Sequence, residues 1–228
     1  MLRPSAFAGL TTLLFALLLI APLSGFETHQ ATNQDELFEL IGDGRNSSMA
    51  LGDEVIVAEG DYICGPCNSD YDMYYLSSLY GTVRCATDDL GCKLSGEGSR
   101  QVMRVRGTAG GTLVLRSLSI HKGNYGGGGG LYMYSGVVNL ELILFDECQA
   151  TDSDWGGGAV YAYSGTLNLY GVSFINNNAA SNNGDDVYTL EAAVTIHSSC
   201  PDGYEGTPTE GESSTMPASS SPLPHQSV

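Results

Sequence analysis

The sequence predicts an all-β protein: a right-handed, single-stranded parallel β-helix of about five coils with an N-terminal capping helix. The first observation behind this prediction is an internal repeat. GTLVL at residues 111–115 recurs as GVVNL at 136–140 and as GTLNL at 165–169, at spacings of 25 and 29 residues. The second is that each copy holds three short runs in which apolar residues lie two apart, which is the period of a β-strand.

The third observation is what the repeats lack. An α/β sheet needs crossover helices between its parallel strands, and copies of this length leave no room for them. Short strands become stable when each pairs with its equivalent in the neighbouring coil, about 4.8 Å away. The equivalent apolar positions then form columns: Leu113/Val138/Leu167, Leu115/Leu140/Leu169 and Ile120/Phe145/Phe174.

A further match provides the third strand of each coil. LYMYSG at 131–136 corresponds to VYAYSG at 160–165, and more faintly to VYTL at 187–190. The second copy is four residues longer than the first, and the extra length falls at residues 149–155, where no apolar column is interrupted. Insertions in a solenoid form loops on one face, so we expect a loop there.

The chain begins with a predicted signal peptide over residues 1–25. Arg3 gives the positive start, residues 10–21 are apolar, and Ser24-Gly25 supplies small residues for cleavage. An uncleaved anchor is the alternative, but the apolar run is shorter than the roughly 20 residues of a membrane span. No later segment is long and apolar enough to span a bilayer. We therefore expect a secreted protein, extracellular or at the cell surface.

Residues 26–50 form the predicted N-terminal region, which contains the capping helix over residues 32–42. Thr32 with Asp35 three residues later resembles a capping box, and Gly42 supplies the stop. The open end of a solenoid needs a cover, and this helix is placed to provide it. Its apolar face is formed by Leu37, Phe38, Leu40 and Ile41.

Residues 51–204 form the predicted β-helix domain, and several of its motifs resemble a known family. An amphipathic helix followed by LGDEVIVAEGDY at 51–62 is similar to the first coil of pectin-lyase-like β-helices. GGAV at 157–160 and FINN at 174–177 resemble the GGAI and FxxN signatures of polymorphic outer-membrane-protein repeats. Earlier copies depart from these signatures as GGGL at 128–131 and FDEC at 145–148. Over about residues 33–204 the chain resembles secreted β-helix proteins of microalgae.

Six cysteines in a secreted chain predict disulfides. We expect the first four to pair among themselves and the last two to pair with each other. CGPC at 64–67 matches the thioredoxin tetrapeptide, but no βαβ pattern surrounds it. A zinc site of the form Cys-x2-Cys…Cys-x6-Cys is a further alternative. The candidates are Cys64, Cys67, Cys85, Cys92, Cys148 and Cys200.

The net charge of −17 is strongly acidic, and removal of Arg3 with the signal peptide makes it −18. Such a surface disfavours nucleic acid as a partner. Five of the remaining eight basic residues nevertheless lie close together in the sequence. They indicate either a local patch for acidic polysaccharide or ordinary solvated charge beside strands. We favour the second interpretation. These residues are Arg100, Arg104, Arg106, Arg116 and Lys122.

Two polar segments carry weaker signals. The glycine run at 126–130 is not a dinucleotide-binding fingerprint, because that motif requires a helix after the glycines and none is predicted here. We predict instead a tight corner of the coil, where a positive φ is needed. Asn176–178, Asn182, Asn183, Asp185 and Asp186 offer oxygen atoms that suit Ca²⁺. Their spacing matches no calcium motif, so we favour structural turns and predict no cofactor and no metal site.

The remaining predictions concern the surface and the end of the chain. Asn46 begins an acceptor sequon and is a glycosylation candidate. Residues 205–228 are rich in Ser, Thr and Pro without an apolar period, which predicts a disordered tail.

Two classes of function remain open. The family resemblance implies a polysaccharide lyase or glycoside hydrolase, but the sequence holds neither the Gly-His-Gly nor the Arg-x-Lys motif of its enzymes. His121 and His197 stand alone, and no catalytic residue can be assigned. We therefore favour a non-catalytic module, either structural or binding a polysaccharide, a cell-wall component or another partner.

The candidate binding residues are tyrosines. Strand alternation sends Tyr132, Tyr161 and Tyr188 outward as one ladder, with Tyr134 and Tyr163 as a second beside it. Stacked rings of this kind stabilise neighbouring coils. The sharper hypothesis is that their exposed faces form an aromatic platform for a sugar chain or a protein partner.

Overall fold

The computed structural model describes residues 25–42, 50, 52–63, 72–77, 81–107, 111–180, 184–197 and 214–216. Within them parallel strands stack as a β-solenoid of about five turns, as the repeats predicted. In chain order the elements are β1 (Thr28–Ala31), α1 (Gln34–Ile41), β2 (Glu54–Val57), β3 (Gly60–Ile63), β4 (Asp72–Ser77), β5 (Gly81–Cys85), β6 (Cys92–Ser95), β7 (Gln101–Arg106), β8 (Thr112–Arg116), β9 (Leu118–His121), β10 (Asn124–Tyr125), β11 (Leu131–Ser135), β12 (Val137–Glu141), β13 (Leu144–Asp146), β14 (Gln149–Ala150), β15 (Val160–Tyr170), β16 (Ser173–Ile175), β17 (Asn178–Ala179), β18 (Val187–His197) and β19 (Ser214–Met216).

The strands form three sheets. Sheet 1 runs β1-β2-β5-β8-β12-β15-β11-β7-β4, with β18 on β15 and β19 on β18. Sheet 2 runs β16-β13-β9-β6-β3, and sheet 3 consists of the two-residue strands β10, β14 and β17. In the later coils β15 and β18 are continuous over 11 residues each, so the third strand of one coil runs into the first strand of the next. The coil before them breaks this strand at Gly136, between β11 and β12.

The predicted apolar columns are confirmed by the strand register. Val138 lies opposite Leu113 and Leu167, and Leu140 opposite Leu115 and Leu169. In sheet 2, Phe145 lies between Ile120 and Phe174 in the same way. The Phe145 and Phe174 rings stack with centroids 5.5 Å apart. Phe145 is fully buried, whereas Phe174 is only partly buried, because β16 is the edge strand of sheet 2 among the described residues.

The corners of the coil repeat a left-handed backbone conformation. Gly128, at φ 63°, takes it within the five-glycine run, as the predicted tight corner requires. Its equivalents Gly157 and Gly184 do the same. The other two corners take positive φ mostly without glycine, so their position could not be predicted from composition. These residues are Ser117, Leu142 and Gly171 at one corner, and Lys122, Glu147 and Asn176 at the next.

The capping helix is present, but its first residues differ from the prediction. Asn33 is the N-cap, and its side chain accepts a hydrogen bond from the backbone N–H of Glu36 at 3.0 Å. The Glu36 carboxylate in turn accepts from the backbone N–H and the hydroxyl of Thr32, at 2.7 and 2.8 Å. The predicted Thr32–Asp35 pair is therefore wrong by one residue, because Asn is at least as good an N-cap as Thr. Leu37 and Ile41 are buried in the solenoid core.

One strand precedes this helix and was not predicted. β1 pairs in parallel with β2, with His29 opposite Val55, so the solenoid begins before the expected residue 51. Only Ala31 of β1 is buried, so the segment carries no apolar alternation that could have revealed it.

The cysteines are only partly paired as expected. Cys85 and Cys92 form a disulfide, which agrees with pairing inside the first group. Cys148 is a free, buried thiol, so the predicted bond from Cys148 to Cys200 is wrong. Its sulfur lies inside the coil, 3.7 Å from the carbonyl oxygens of Ile120 and Asp146.

Several predictions concern residues outside the described ranges. They are residues 1–24 of the signal peptide, the sequon at Asn46, Cys64, Cys67 and Cys200, and most of the tail. Within residues 205–228 the structure describes one short strand, β19, which pairs antiparallel with β18. Among the described residues no helix has the length and apolarity needed to cross a bilayer.

Candidate functional site

The outward face of sheet 1 carries one continuous column of aromatic and basic side chains. Tyr132 lies opposite Tyr161, and Tyr161 opposite Tyr188, as the repeats predicted. On the other side Tyr132 lies opposite Arg104, which lies opposite Tyr75. The column therefore crosses five neighbouring strands. Repeat matching missed its first two members, because β4 and β7 lack the sequence likeness of the later copies.

The tyrosine column, formed by Tyr132, Tyr161 and Tyr188, points outward but is mostly covered. Its ring centroids lie 5.0 and 5.4 Å apart, and the side chains are only 9%, 3% and 9% exposed. Trp155 covers it further, 6.3 Å from the Tyr132 ring and 5.8 Å from the Tyr161 ring. The expectation that these three rings offer exposed faces is wrong, because they cover one another and Trp155 lies against them. We call the segment between β14 and β15 that carries this residue the Trp155 loop.

The second predicted ladder is the exposed one. Tyr134 and Tyr163 stack nearly parallel, with centroids 5.2 Å apart and an interplanar angle of 6°. Tyr134 is 41% exposed. The Arg106 guanidinium lies 5.0 Å from the Tyr134 ring centroid, in cation–π geometry.

These side chains surround a surface groove, which we call the Tyr/Arg groove. Arg104 inserts its guanidinium between two aromatic rings, 5.2 Å from the centroids of both Tyr125 and Tyr132. The groove has a volume of about 260 Å³. It is lined by Tyr75, Arg104, Arg106, Tyr125, Tyr132, Tyr134 and Trp155.

A polar network fixes the position of Arg104. One guanidinium nitrogen lies 3.3 Å from Oδ1 of Asp72, and Nε donates to Oε1 of Gln101 at 3.4 Å. Gln101 is fully buried, and its amide donates to the carbonyl oxygens of Gly127, at 3.1 Å, and Gly128. The glycine-rich corner thus holds the glutamine, and the glutamine orients the arginine.

Burial and charge oppose each other in this network. Burial raises the pKa of Asp72 to about 6, although the neighbouring Arg104 acts to lower it. Burial also raises the pKa of Tyr132, again against Arg104, and raises that of Tyr161 to about 12. At neutral pH the tyrosines are uncharged and Asp72 is mostly ionised, so its charge offsets that of Arg104. Arg106 is exposed and forms no ion pair within the described residues.

The five basic residues that lie close in sequence do not form one patch. Only Arg104 and Arg106 line the Tyr/Arg groove. Arg116 lies opposite Glu141 in the other half of sheet 1 and pairs with Asp88 at 3.4 Å. Of the five residues in the alternative of a basic patch, only these two arginines lie together, because strand alternation places them on the same side of β7.

In the asparagine- and aspartate-rich segment, two aspartate side chains accept hydrogen bonds from the same segment, in keeping with the structural role that we favoured. Oδ1 of Asp185 accepts from the backbone N–H of Ala179 at 3.0 Å, and Oδ1 of Asp186 accepts from the Asn177 amide at 3.0 Å. Asn182 and Asn183 lie outside the described residues. Across the part of the chain that the structure describes, no three His, Cys, Asp or Glu side chains are grouped to hold a metal ion.

The two histidines weighed for catalysis lie on different sheets. In sheet 2, Nδ1 of His121 lies 3.3 Å from Oδ2 of Asp146, and burial lowers the pKa of the histidine against the pull of that carboxylate. In sheet 1, His197 stacks on Tyr170 with centroids 4.0 Å apart. Neither histidine lines the Tyr/Arg groove.

Comparison of the chain with protein-family models, with curated proteins and with solved structures found no significant match. The parallel β-solenoid is therefore established by the strand register of this chain alone.

Proposed function

We propose that this protein is a secreted or cell-surface β-helix module, related to the pectin-lyase-like type, that binds acidic polysaccharide in the Tyr/Arg groove without catalysis. The observation that carries the proposal is the pairing of two arginines with three tyrosine faces in one groove. This pairing stands out in a chain whose net charge is −17.

The chemistry of the groove suits a sugar chain that bears carboxylates. Trp155 lines the groove and is 40% exposed, so its ring can pack against the apolar C–H face of a sugar ring. A guanidinium stacked on an aromatic ring keeps its N–H edge free, and that edge can donate two parallel hydrogen bonds to a carboxylate. Arg106, stacked on Tyr134 and without an ion pair among the described residues, is the natural anchor for the anion.

The acidic surface restricts where such a ligand can bind. Exposed charges separated by more than about 8 Å are largely screened at physiological ionic strength, so the groove acts locally. The rest of the protein still repels a polyanion at short range. We therefore expect binding to be confined to the groove.

The test is titration with polygalacturonate, followed by the fluorescence of Trp155, which is the only tryptophan and lines the groove. Arg106→Gln and Tyr134→Ala should each weaken binding by about tenfold, the loss of roughly 1.4 kcal/mol. Arg84→Gln is the matched control, because Arg84 pairs with Glu54 at 2.7 Å and lies outside the groove.

Two results would contradict the proposal. Equal weakening by the Arg84→Gln control would show that the groove does not bind the ligand. Reducing sugar or unsaturated products released from polysaccharide in parallel assays would identify an enzyme instead of a binding module.

A further inference from the structure

We infer that Asp72 is a positioning residue that sets the charge of the Tyr/Arg groove: its ionised carboxylate offsets Arg104 and weakens the binding of an anionic ligand, and its protonation strengthens that binding. This inference rests on the proposed function. It adds regulation by pH to the same site.

The geometry places Asp72 behind the groove. Asp72 is 6% exposed and does not line the groove, whereas Arg104 does. The carboxylate lies 3.3 Å from the guanidinium that stacks between Tyr125 and Tyr132. A charge change at Asp72 therefore reaches a ligand through Arg104, without direct contact.

Two described elements, β7 and α1, pack against β4, the strand that carries Asp72. From β7, Arg104 is the charged group that acts on its carboxyl group, and Gln101, which lies opposite it in register, is neutral. From α1, Gln34 contacts β4, and its Oε1 accepts a hydrogen bond from the hydroxyl of Tyr74 at 2.9 Å. The two groups that meet in this contact, the Gln34 amide and the Tyr74 hydroxyl, are uncharged, and the charge that acts on the Asp72 carboxyl group is that of Arg104.

The sign of the pH effect follows from the position of Asp72. Burial raises its pKa to about 6, so above this pH the carboxylate is ionised and the pair is neutral overall. Below it the carboxyl group is neutral and the groove gains one positive charge. A uronate ligand stays ionised across this range, since ordinary carboxyl groups titrate near pH 3–4. Affinity should therefore rise as the pH falls through about 6.

The experiment measures the affinity for polygalacturonate at pH 7.5 and pH 5.0, at constant ionic strength, for the wild type, Asp72→Asn and Asp88→Asn. The wild type should bind about tenfold more tightly at pH 5.0, within the usual range of coupling between two sites. Asp72→Asn keeps an oxygen for Arg104 and should bind at both pH values as the wild type binds at pH 5.0. Asp88→Asn is the matched control, because Asp88 pairs with Arg116 outside the groove, and it should keep the pH dependence of the wild type.

The outcomes separate this inference from the proposed function. Two results overturn the inference about Asp72 and leave the proposed function standing. In the first, binding needs Arg106 but does not change with pH. In the second, the Asp72→Asn variant keeps the pH dependence of the wild type. Absence of binding to any polyanion at either pH overturns both. If Asp72→Asn does not fold, carboxyl titration of the wild type by NMR replaces it: a midpoint near 6 supports the inference, and an ordinary midpoint near 4 overturns it.

Discussion

Asn177 accepts a hydrogen bond from the backbone N–H of Cys148, which occupies the equivalent position one coil earlier, at 3.0 Å. Its amide nitrogen donates to the carbonyl oxygen of Phe145 at 3.2 Å and to the carboxylate of Asp186 at 3.0 Å. One buried side chain therefore satisfies polar groups on both sides of its own coil. This is the physical role of Asn177, the asparagine that ends FINN at residues 174–177.

Asn177→Ala should destabilise the protein. The change leaves a backbone N–H and a carbonyl oxygen buried without their partner, which costs about 1–3 kcal/mol for each such group. Urea unfolding followed by circular dichroism measures the effect. Asn178→Ala is the control, because the Asn178 side chain is exposed, and its unfolding midpoint should not move. Equal stability of the two variants would contradict the role assigned to Asn177.

Cys148 should resist alkylation in the native protein. Burial raises the pKa of its thiol to about 12, so almost no reactive thiolate is present at pH 8. Iodoacetamide followed by peptide mass mapping should find Cys148 modified only after unfolding in denaturant. The same map should recover Cys85 and Cys92 as an intact disulfide within the tryptic peptide 85–93, protected from alkylation unless it is reduced. Modification of native Cys148, or a disulfide that includes it, would contradict this.

Asp53 should make stability depend on acid pH. Burial acts to raise its pKa, but hydrogen bonds from the backbone N–H groups of Glu27 and Ala50 and from His29 outweigh burial and hold the pKa below its ordinary value. A depressed pKa stabilises the fold above the unfolded value near 3.9, and this stabilisation is lost as the pH falls through the folded value. Asp53→Asn should therefore be less stable than the wild type at pH 6.

The difference between Asp53→Asn and the wild type should shrink as the pH falls below about 4, where the native carboxylate also becomes protonated. Urea midpoints at pH 6 and pH 3 measure it. Asp61→Asn, at an exposed position of β3, is the control and should change neither midpoint. A difference that stays constant between the two pH values would show that charge on Asp53 does not matter.

The five glycines at 126–130 should differ in their tolerance of a side chain. A Cβ at Gly129 would lie 2.6 Å from the carbonyl oxygen of Gly123 and 2.8 Å from the backbone nitrogen of Gln149, both in neighbouring backbone that cannot move freely. A Cβ at Gly126 would meet ordinary contacts, 3.5 Å from the Cβ of Asp152. Gly129→Ala should cost about 1–3 kcal/mol or more, and Gly126→Ala less than about 1 kcal/mol. Thermal unfolding that ranks them in the opposite order would contradict this.

The repeats predicted the solenoid well because register in a parallel stack is set by apolar alternation. Leu140 had to lie between Leu115 and Leu169 for every column to stay buried, and it does. The parts that the sequence did not reveal carry little apolar signal. β1 buries only Ala31, and the strands of sheet 3 are two residues long, too short to show a period.

The candidate site could be predicted only in part. Tyr132 and Tyr161 were aligned correctly, since their copies match residue by residue. Their burial depends on Trp155, which lies in the four-residue insertion and has no counterpart in other copies, so no periodic pattern could place it over the rings. The alignment of Arg104 with Tyr132 depends on β7, whose sequence does not repeat the later strands.

The Trp155 loop contributes to the Tyr/Arg groove but not to the buried columns that hold the coils together. The chain between Ala150 and Gly157 is longer than its equivalent between Tyr125 and Gly128, and the added residues interrupt no buried column. Exchanging this loop changes one wall of the groove while the coils above and below keep their hydrogen bonds. Sequence changes in this short segment can therefore alter the groove without altering the fold, much as an antibody keeps its framework while its loops diversify.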